Sequence, residues 1–185
     1  AWTYREPVGV VAAIVPWNWP FNMAMWKMAA ALAVGCTMVI KPAQQTSLSM
    51  LYFAKICEDV GIPPGVINIV TGRGSTIGDY LANHPGVDKV SFTGSTPVGK
   101  QLMAECAATV KRTSMELGGN APFIVFDDAD LDAAITGVMA SKYRNAGQTC
   151  VCANRIMVQE GIYEDFSERL AEATRALKVG DGMQE

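Results

Sequence analysis

Short apolar runs alternate with helix-spaced segments of about 10–15 residues along almost the whole chain, and few architectures accept that alternation. Residues 8–15 are rich in β-formers and stop at Pro16; residues 21–34 have helical spacing and close at Gly35, which suits a C-terminal cap. The same reading predicts strands over 37–41, 66–70, 89–93, 111–117, 123–126 and 155–159. It predicts helices over 47–60, 76–83, 96–108, 130–145 and 163–178, with acidic residues in the first turn of the helix at 130, where they complement its dipole. Repeated βαβ units imply an α/β protein with a doubly wound, mostly parallel sheet. The alternation pauses at Gly118-Gly119, so one domain is expected over residues 1–118 and the start of a second over 119–185.

Charge and residue chemistry remove several function classes. The 15 Lys/Arg and 18 Asp/Glu leave a net charge of −3 with no basic stripe, so nucleic acid is not an expected partner. Residues 8–40 are strongly apolar, but Pro16, Asn18, Pro20, Asn22 and Lys27 break the run too often for a membrane span. The five cysteines, Cys36, Cys57, Cys106, Cys150 and Cys152, contain no Cys-x-x-Cys pair, and His84 is the one histidine. No metal site is expected from that set, and a Ser-His-Asp triad has almost no room in it. An odd cysteine count without a leader segment suggests a reducing, cytoplasmic setting. The chain starts at Ala1 rather than methionine and stops in the turn Gly180-Asp181-Gly182, so a piece of a longer protein is expected.

Three residues carry the chemistry most worth weighing. Cys150 ends Gly147-Gln148-Thr149-Cys150, Glu116 lies upstream in Met115-Glu116-Leu117-Gly118-Gly119, and Asn18 sits between two Trp-Pro pairs in Pro16-Trp17-Asn18-Trp19-Pro20. A thiol, a carboxylate and an amide can serve as nucleophile, water-activating base and oxyanion donor in acyl transfer. Each has a plainer reading: a buried cysteine, a salt-bridge partner, a helix cap. Two glycine-rich turns compete for cofactor phosphates, Gly72-Arg73-Gly74-Ser75-Thr76-Ile77-Gly78 and Gly94-Ser95-Thr96-Pro97-Val98-Gly99. Either could aim backbone N–H groups at a pyrophosphate, and the first is nearer the usual fingerprint, with its third glycine one position late. Lys41 ends a strand, at the edge where open α/β sheets bind ligands.

In this order, these segments resemble the NAD(P)-dependent aldehyde dehydrogenases, and 114–126 with 143–155 resemble most the succinate-semialdehyde branch. The resemblance implies a Rossmann-like dinucleotide-binding domain followed by the start of a catalytic domain. It implies Cys150 as nucleophile, Glu116 as base and Asn18 as oxyanion donor, with NAD or NADP as cofactor. It moves the phosphate turn to the second candidate, so Thr93, Gly94 and Ser95 join Trp17, Lys41, Gln44 and Leu117 as expected cofactor contacts, while Gly72 and Gly74 become turn glycines. Arg144 matches an arginine that holds the substrate's distal carboxylate, a task suited to its two parallel donors. Where that branch places a second carboxylate-binding arginine this chain has Trp26, as do relatives that oxidise uncharged aldehydes. Cys152 matches a residue that in some members closes a reversible disulfide with the nucleophile. Family members form homodimers or homotetramers. Another semialdehyde, an uncharged aldehyde, an inactive nucleotide-binding fragment and a structural crystallin-like relative stand as alternatives.

Overall fold

The computed structural model describes residues 1–183, and the chain divides into two compact units, Ala1–Gly118 and Gly119–Glu185. In the first, β1 (Val10–Ile14), β2 (Thr37–Lys41), β3 (Ile67–Ile69), β4 (Lys89–Gly94) and β5 (Arg112–Leu117) form one sheet in the order β3-β2-β1-β4-β5. Every pairing is parallel. The helices α1 (Pro20–Ala33), α2 (Leu48–Asp59), α3 (Asp79–Asn83) and α4 (Thr96–Ala107) make the crossovers.

The centre of this sheet follows from β1 itself. Side chains alternate faces along a strand, and a parallel strand covered on both sides must be apolar on both. Val11, Ala13 and Val15 pack with Ala24, Met28 and Ala31 of α1 and with Met50 of α2. Ala12 and Ile14 pack on the opposite core with Leu81 and Ala82 of α3 and with Leu102 and Cys106 of α4. Ala12 and Ala13 are fully buried, and their small size lets helices approach from either side.

Helix ends obey local rules with one exception. After α1, Gly35 takes φ 82° and Cys36 N–H donates to the Ala31 carbonyl at 3.0 Å, closing the last turn. After α4 the equivalent bond runs from Lys111 N–H to the Cys106 carbonyl at 3.1 Å, but the left-handed residue is Val110, at φ 52°. A β-branched residue there is strained.

The second unit is a single βαβ crossover with a helix added. Its strands β6 (Ala121–Val125) and β7 (Ala153–Val158) are parallel, joined by α5 (Leu131–Lys142) and followed by α6 (Tyr163–Arg175). Val125, Val138 and Phe166 form its core, with Phe123, Ile135 and Leu170 packed around them. Asp130 caps α5, accepting from Ala133 N–H at 3.1 Å.

Three expectations are corrected. The helix expected over 130–145 ends at Lys142, because the chain reverses into a left-handed turn at Asn145 and Ala146. The helix expected over 76–83 is a π-turn, Gly74–Gly78, running into the short α3. The last helix stops at Arg175 rather than 178. Among the described residues no helix is long and apolar enough to cross a membrane.

Candidate active site

The order of the first sheet reverses between β1 and β4: β2 and β3 lie on one side, β4 and β5 on the other. In open parallel sheets ligands bind at such a reversal, outside the carboxyl ends of the strands. The register places Lys41 beside Ile14, Thr93 beside Glu116 and Gly94 beside Leu117, all at those ends. Beyond β1 come Trp17 and Asn18, and beyond β2 comes Gln44, exposed at the start of a 3-10 turn, Gln44–Thr46. One edge of one unit therefore gathers Trp17, Asn18, Lys41, Gln44, Thr93, Gly94, Ser95, Glu116 and Leu117. Asn18 is not the cap residue of α1; Trp19 holds that position, without a side-chain capping bond.

The residues at this edge suit a dinucleotide. Thr93 Oγ1 is buried without a hydrogen-bond partner, an arrangement that costs free energy unless a ligand completes it. Ser95 precedes α4 and does not cap it with its side chain; Pro97 has no N–H, so the first-turn donors available to an anion are the N–H groups of Thr96 and Val98. A Cβ on Gly94 would fall 2.4 Å from the Phe92 ring, so any side chain there would have to displace that buried ring. Lys41 is 3 % exposed, its ammonium donating to the Pro42 carbonyl at 2.9 Å, and burial pushes its pKa down.

Lys27 belongs to this unit's electrostatics and was not singled out from sequence except as a break in an apolar run. It projects from α1 and donates to Ser91 Oγ of β4 at 3.0 Å. Burial pushes its pKa down, Glu116 pulls it back up, and Lys89 adds to the lowering. The available signal was a lysine inside a helix otherwise lined by Met, Ala and Leu. Trp26, its neighbour, is exposed and meets Trp19 edge to face, with ring centroids 6.0 Å apart.

In the second unit, Arg144, Cys150 and Cys152 share the loop between α5 and β7. Cys150 is exposed, and the other four cysteines are buried. The Cys152 thiol, 1 % exposed, faces the Lys142 carbonyl at 3.5 Å and the Thr149 hydroxyl at 2.6 Å. The two thiols are not bonded to each other. Arg144 opens the 3-10 turn Arg144–Gly147 and is exposed. A Cβ on Gly119 would stand 3.2 Å from the Cys150 carbonyl oxygen, whereas one on Gly118 would meet open space. The described residues contain no cluster of three or more His, Cys, Asp or Glu that could hold a metal.

Known proteins resemble this chain along nearly its whole length. The 3-sulfolactaldehyde dehydrogenase of Pseudomonas putida is 62% identical over 180 residues, covering 97% of this chain and 37% of that protein. The NADP(+) succinate-semialdehyde dehydrogenase of Escherichia coli K12 is 56% identical over 179 residues, again 97% of this chain and 37% of the relative. The NAD+ complex structure of an aldehyde dehydrogenase from Bacillus cereus superposes with a TM-score of 0.93 at 47% identity, covering 97% of this chain and 36% of that one. The chain thus spans little more than a third of the length of these relatives. With the family model matching residues 1–185 from end to end, the chain belongs to the aldehyde dehydrogenase family.

Proposed function

We propose that the full-length protein oxidises a short aldehyde bearing an anionic group, with succinate semialdehyde as the representative substrate, and that NAD or NADP is its cofactor. The observation that carries this reading is Cys150: of five cysteines it alone is exposed, and it stands in the Gly-Gln-Thr-Cys turn. A thiol buried like Cys106, whose pKa burial raises, is a poor nucleophile.

The Cys150 thiolate attacks the aldehyde carbon and gives a thiohemiacetal alkoxide. The Asn18 amide donates to that oxyanion, a contact whose loss costs about 3–4 kcal/mol in comparable sites. Bound NAD or NADP supplies acceptance of the hydride. Loss of hydride from the alkoxide carbon leaves a thioester on Cys150. Glu116 removes a proton from water as the water attacks the thioester; the carboxylic acid leaves and the thiol is restored. Trp17, Thr93, Gly94, Ser95 and Leu117 hold the nicotinamide and phosphate end, and Lys41 and Gln44 the adenosine ribose.

Arg144 supports the anionic substrate, since a guanidinium binds carboxylate or sulfonate through paired donors. Two of the relatives named above act on aldehydes with such a group. A second reading, an uncharged aldehyde, is favoured by the exposed Trp19–Trp26 pair, which offers an apolar wall. The five unpaired thiols support a reducing compartment such as the cytoplasm, and family resemblance supports a homodimer or homotetramer.

The test uses the full-length enzyme. Cys150→Ala abolishes oxidation, and Glu116→Gln leaves a rapid first release of reduced cofactor followed by slow turnover. Arg144→Ala raises KM for succinate semialdehyde far more than for an uncharged aldehyde of similar length. Turnover without Cys150 would overturn the reaction; equal loss on both aldehydes would overturn the anion anchor.

A further inference from the structure

Asn145, Ala146 and Gly147, just upstream of Cys150, all lie in the left-handed region of backbone space: φ/ψ 51°/43°, φ/ψ 56°/31° and φ 76°. A single left-handed residue commonly ends a helix, but consecutive ones form a reversed turn that L-residues avoid. Glycine takes this conformation freely and asparagine tolerates it. Alanine does neither, and Ala146 is exposed, so burial of its methyl group does not account for it.

The feet of this turn are fixed. Gln148 N–H donates to the Asn145 carbonyl at 3.0 Å. The Lys142 ammonium, at the end of α5, donates to Asn154 Oδ1 of β7 at 2.8 Å, and Ala153 N–H donates to Ser141 Oγ at 3.3 Å. The buried Cys152 thiol donates to the Lys142 carbonyl. Between those ties the chain reaches Cys150 through the left-handed residues 145–147 and then Gln148 and Thr149, whose carbonyl accepts from Cys152 N–H at 3.2 Å. The dihedrals of residues 145–147 therefore contribute to the direction in which the thiol is presented.

We propose that Ala146 is a positioning residue for Cys150. The left-handed basin open to alanine is narrow and the one open to glycine is broad. Alanine at this position therefore stiffens the turn that presents the thiol, at a cost in stability, and glycine would relieve the strain while letting the thiol wander. The inference rests on Cys150 being the nucleophile. Strain retained beside a reacting group is a recurrent way to hold geometry that the rest of the fold over-determines.

The experiment compares full-length wild type, Ala146→Gly, Ala146→Asn and Cys150→Ala in steady-state aldehyde oxidation and thermal unfolding. Because a misplacement of about 1 Å can cost up to a hundredfold in rate, Ala146→Gly should lose kcat on the order of tenfold, with KM nearly unchanged and a melting temperature equal to or above wild type. Ala146→Asn, which keeps a restricted left-handed backbone, should restore kcat. Unchanged kcat in Ala146→Gly, or a loss that comes with a lower melting temperature, overturns the positioning role. Turnover persisting in Cys150→Ala overturns the nucleophile reading instead, and the proposal with it.

Discussion

The Lys27 ammonium on α1 donates to the hydroxyl of Ser91 on β4, 64 positions further along the chain, at 3.0 Å. Ser91 is itself buried. The bond holds a positive charge against the face of the sheet, where burial disfavours the charged form and the Glu116 carboxylate favours it. Burial is the larger influence, so the net pKa is lowered.

That balance predicts a pH-dependent stability. The folded pKa of Lys27 lies below its ordinary 10.5, so between the two values the unfolded chain binds more protons and stability rises with pH. Below the folded pKa the full cost of the buried charge is present. Lys27→Met should therefore be more stable than wild type at pH 7 by on the order of 1 kcal/mol, and the difference should shrink as pH approaches 10.5. Urea unfolding of both full-length proteins at pH 7 and pH 10 measures it. A gap that does not change with pH, or a less stable variant, contradicts the assignment.

Whether sequence revealed a feature depended on how local its cause was. The strand Thr37–Lys41 was legible end to end, because Pro42 stops it and its apolar residues continue up to that point. The α1 boundaries were legible to within one residue, set by Pro20 and Gly35. The run Arg144-Asn145-Ala146 carries no helix breaker, and periodicity extended α5 through it. What ends α5 is the left-handed turn at Asn145 and Ala146, accompanied by side-chain bonds from Cys152 to Lys142 and from Lys142 to Asn154 that apolar periodicity does not read. Lys27 escaped for the same reason: its partner is on another strand. The thiol, carboxylate and amide stood out in sequence because their motifs are chemical signatures, whereas the order of strands that brings the expected cofactor contacts to one edge came only with the fold.

Val110 offers a direct test of the strained helix end. It is exposed, its side chain has little to lose, and it holds φ 52° where Gly35 and Gly61 serve after α1 and α2. Val110→Gly should raise stability by about 1 kcal/mol, the usual left-handed penalty less the entropy cost of glycine. A rise in the denaturation midpoint without a change in slope is the expected result. A fall would mean that Val110 makes contacts in the full-length protein that outweigh the strain.

The cysteine pair makes a redox prediction. Cys152 points into the fold, toward Lys142 and Thr149, while Cys150 is exposed, so a Cys150–Cys152 disulfide requires the Cys152 thiol to leave both partners. Oxidation by peroxide, which removes two electrons and the two thiol protons, should then inactivate the full-length enzyme, and a dithiol should restore it. Cys152→Ala should lose the dithiol rescue, as Cys150 alone oxidises onward. A variant inactivated and rescued like wild type would count against a disulfide and leave Cys152 as a packing residue.

Cofactor choice turns on Gln44. It is exposed just beyond β2, at the strand edge where the family resemblance leads us to expect the adenosine ribose. A carboxylate there repels a 2′-phosphate; a neutral amide donates to one, and removal of the repulsion relaxes specificity. The nearby cation, Lys41, is buried and turned to the Pro42 carbonyl, so it is not aimed at a phosphate in this geometry. The full-length enzyme should therefore accept both cofactors rather than demand NADP. Gln44→Glu should lower kcat/KM for NADP by about tenfold or more, since like charges in contact cost more than about 1.4 kcal/mol, and leave the value for NAD nearly unchanged. A wild type that already rejects NADP, or a variant that loses both cofactors equally, would show that discrimination is set by other residues.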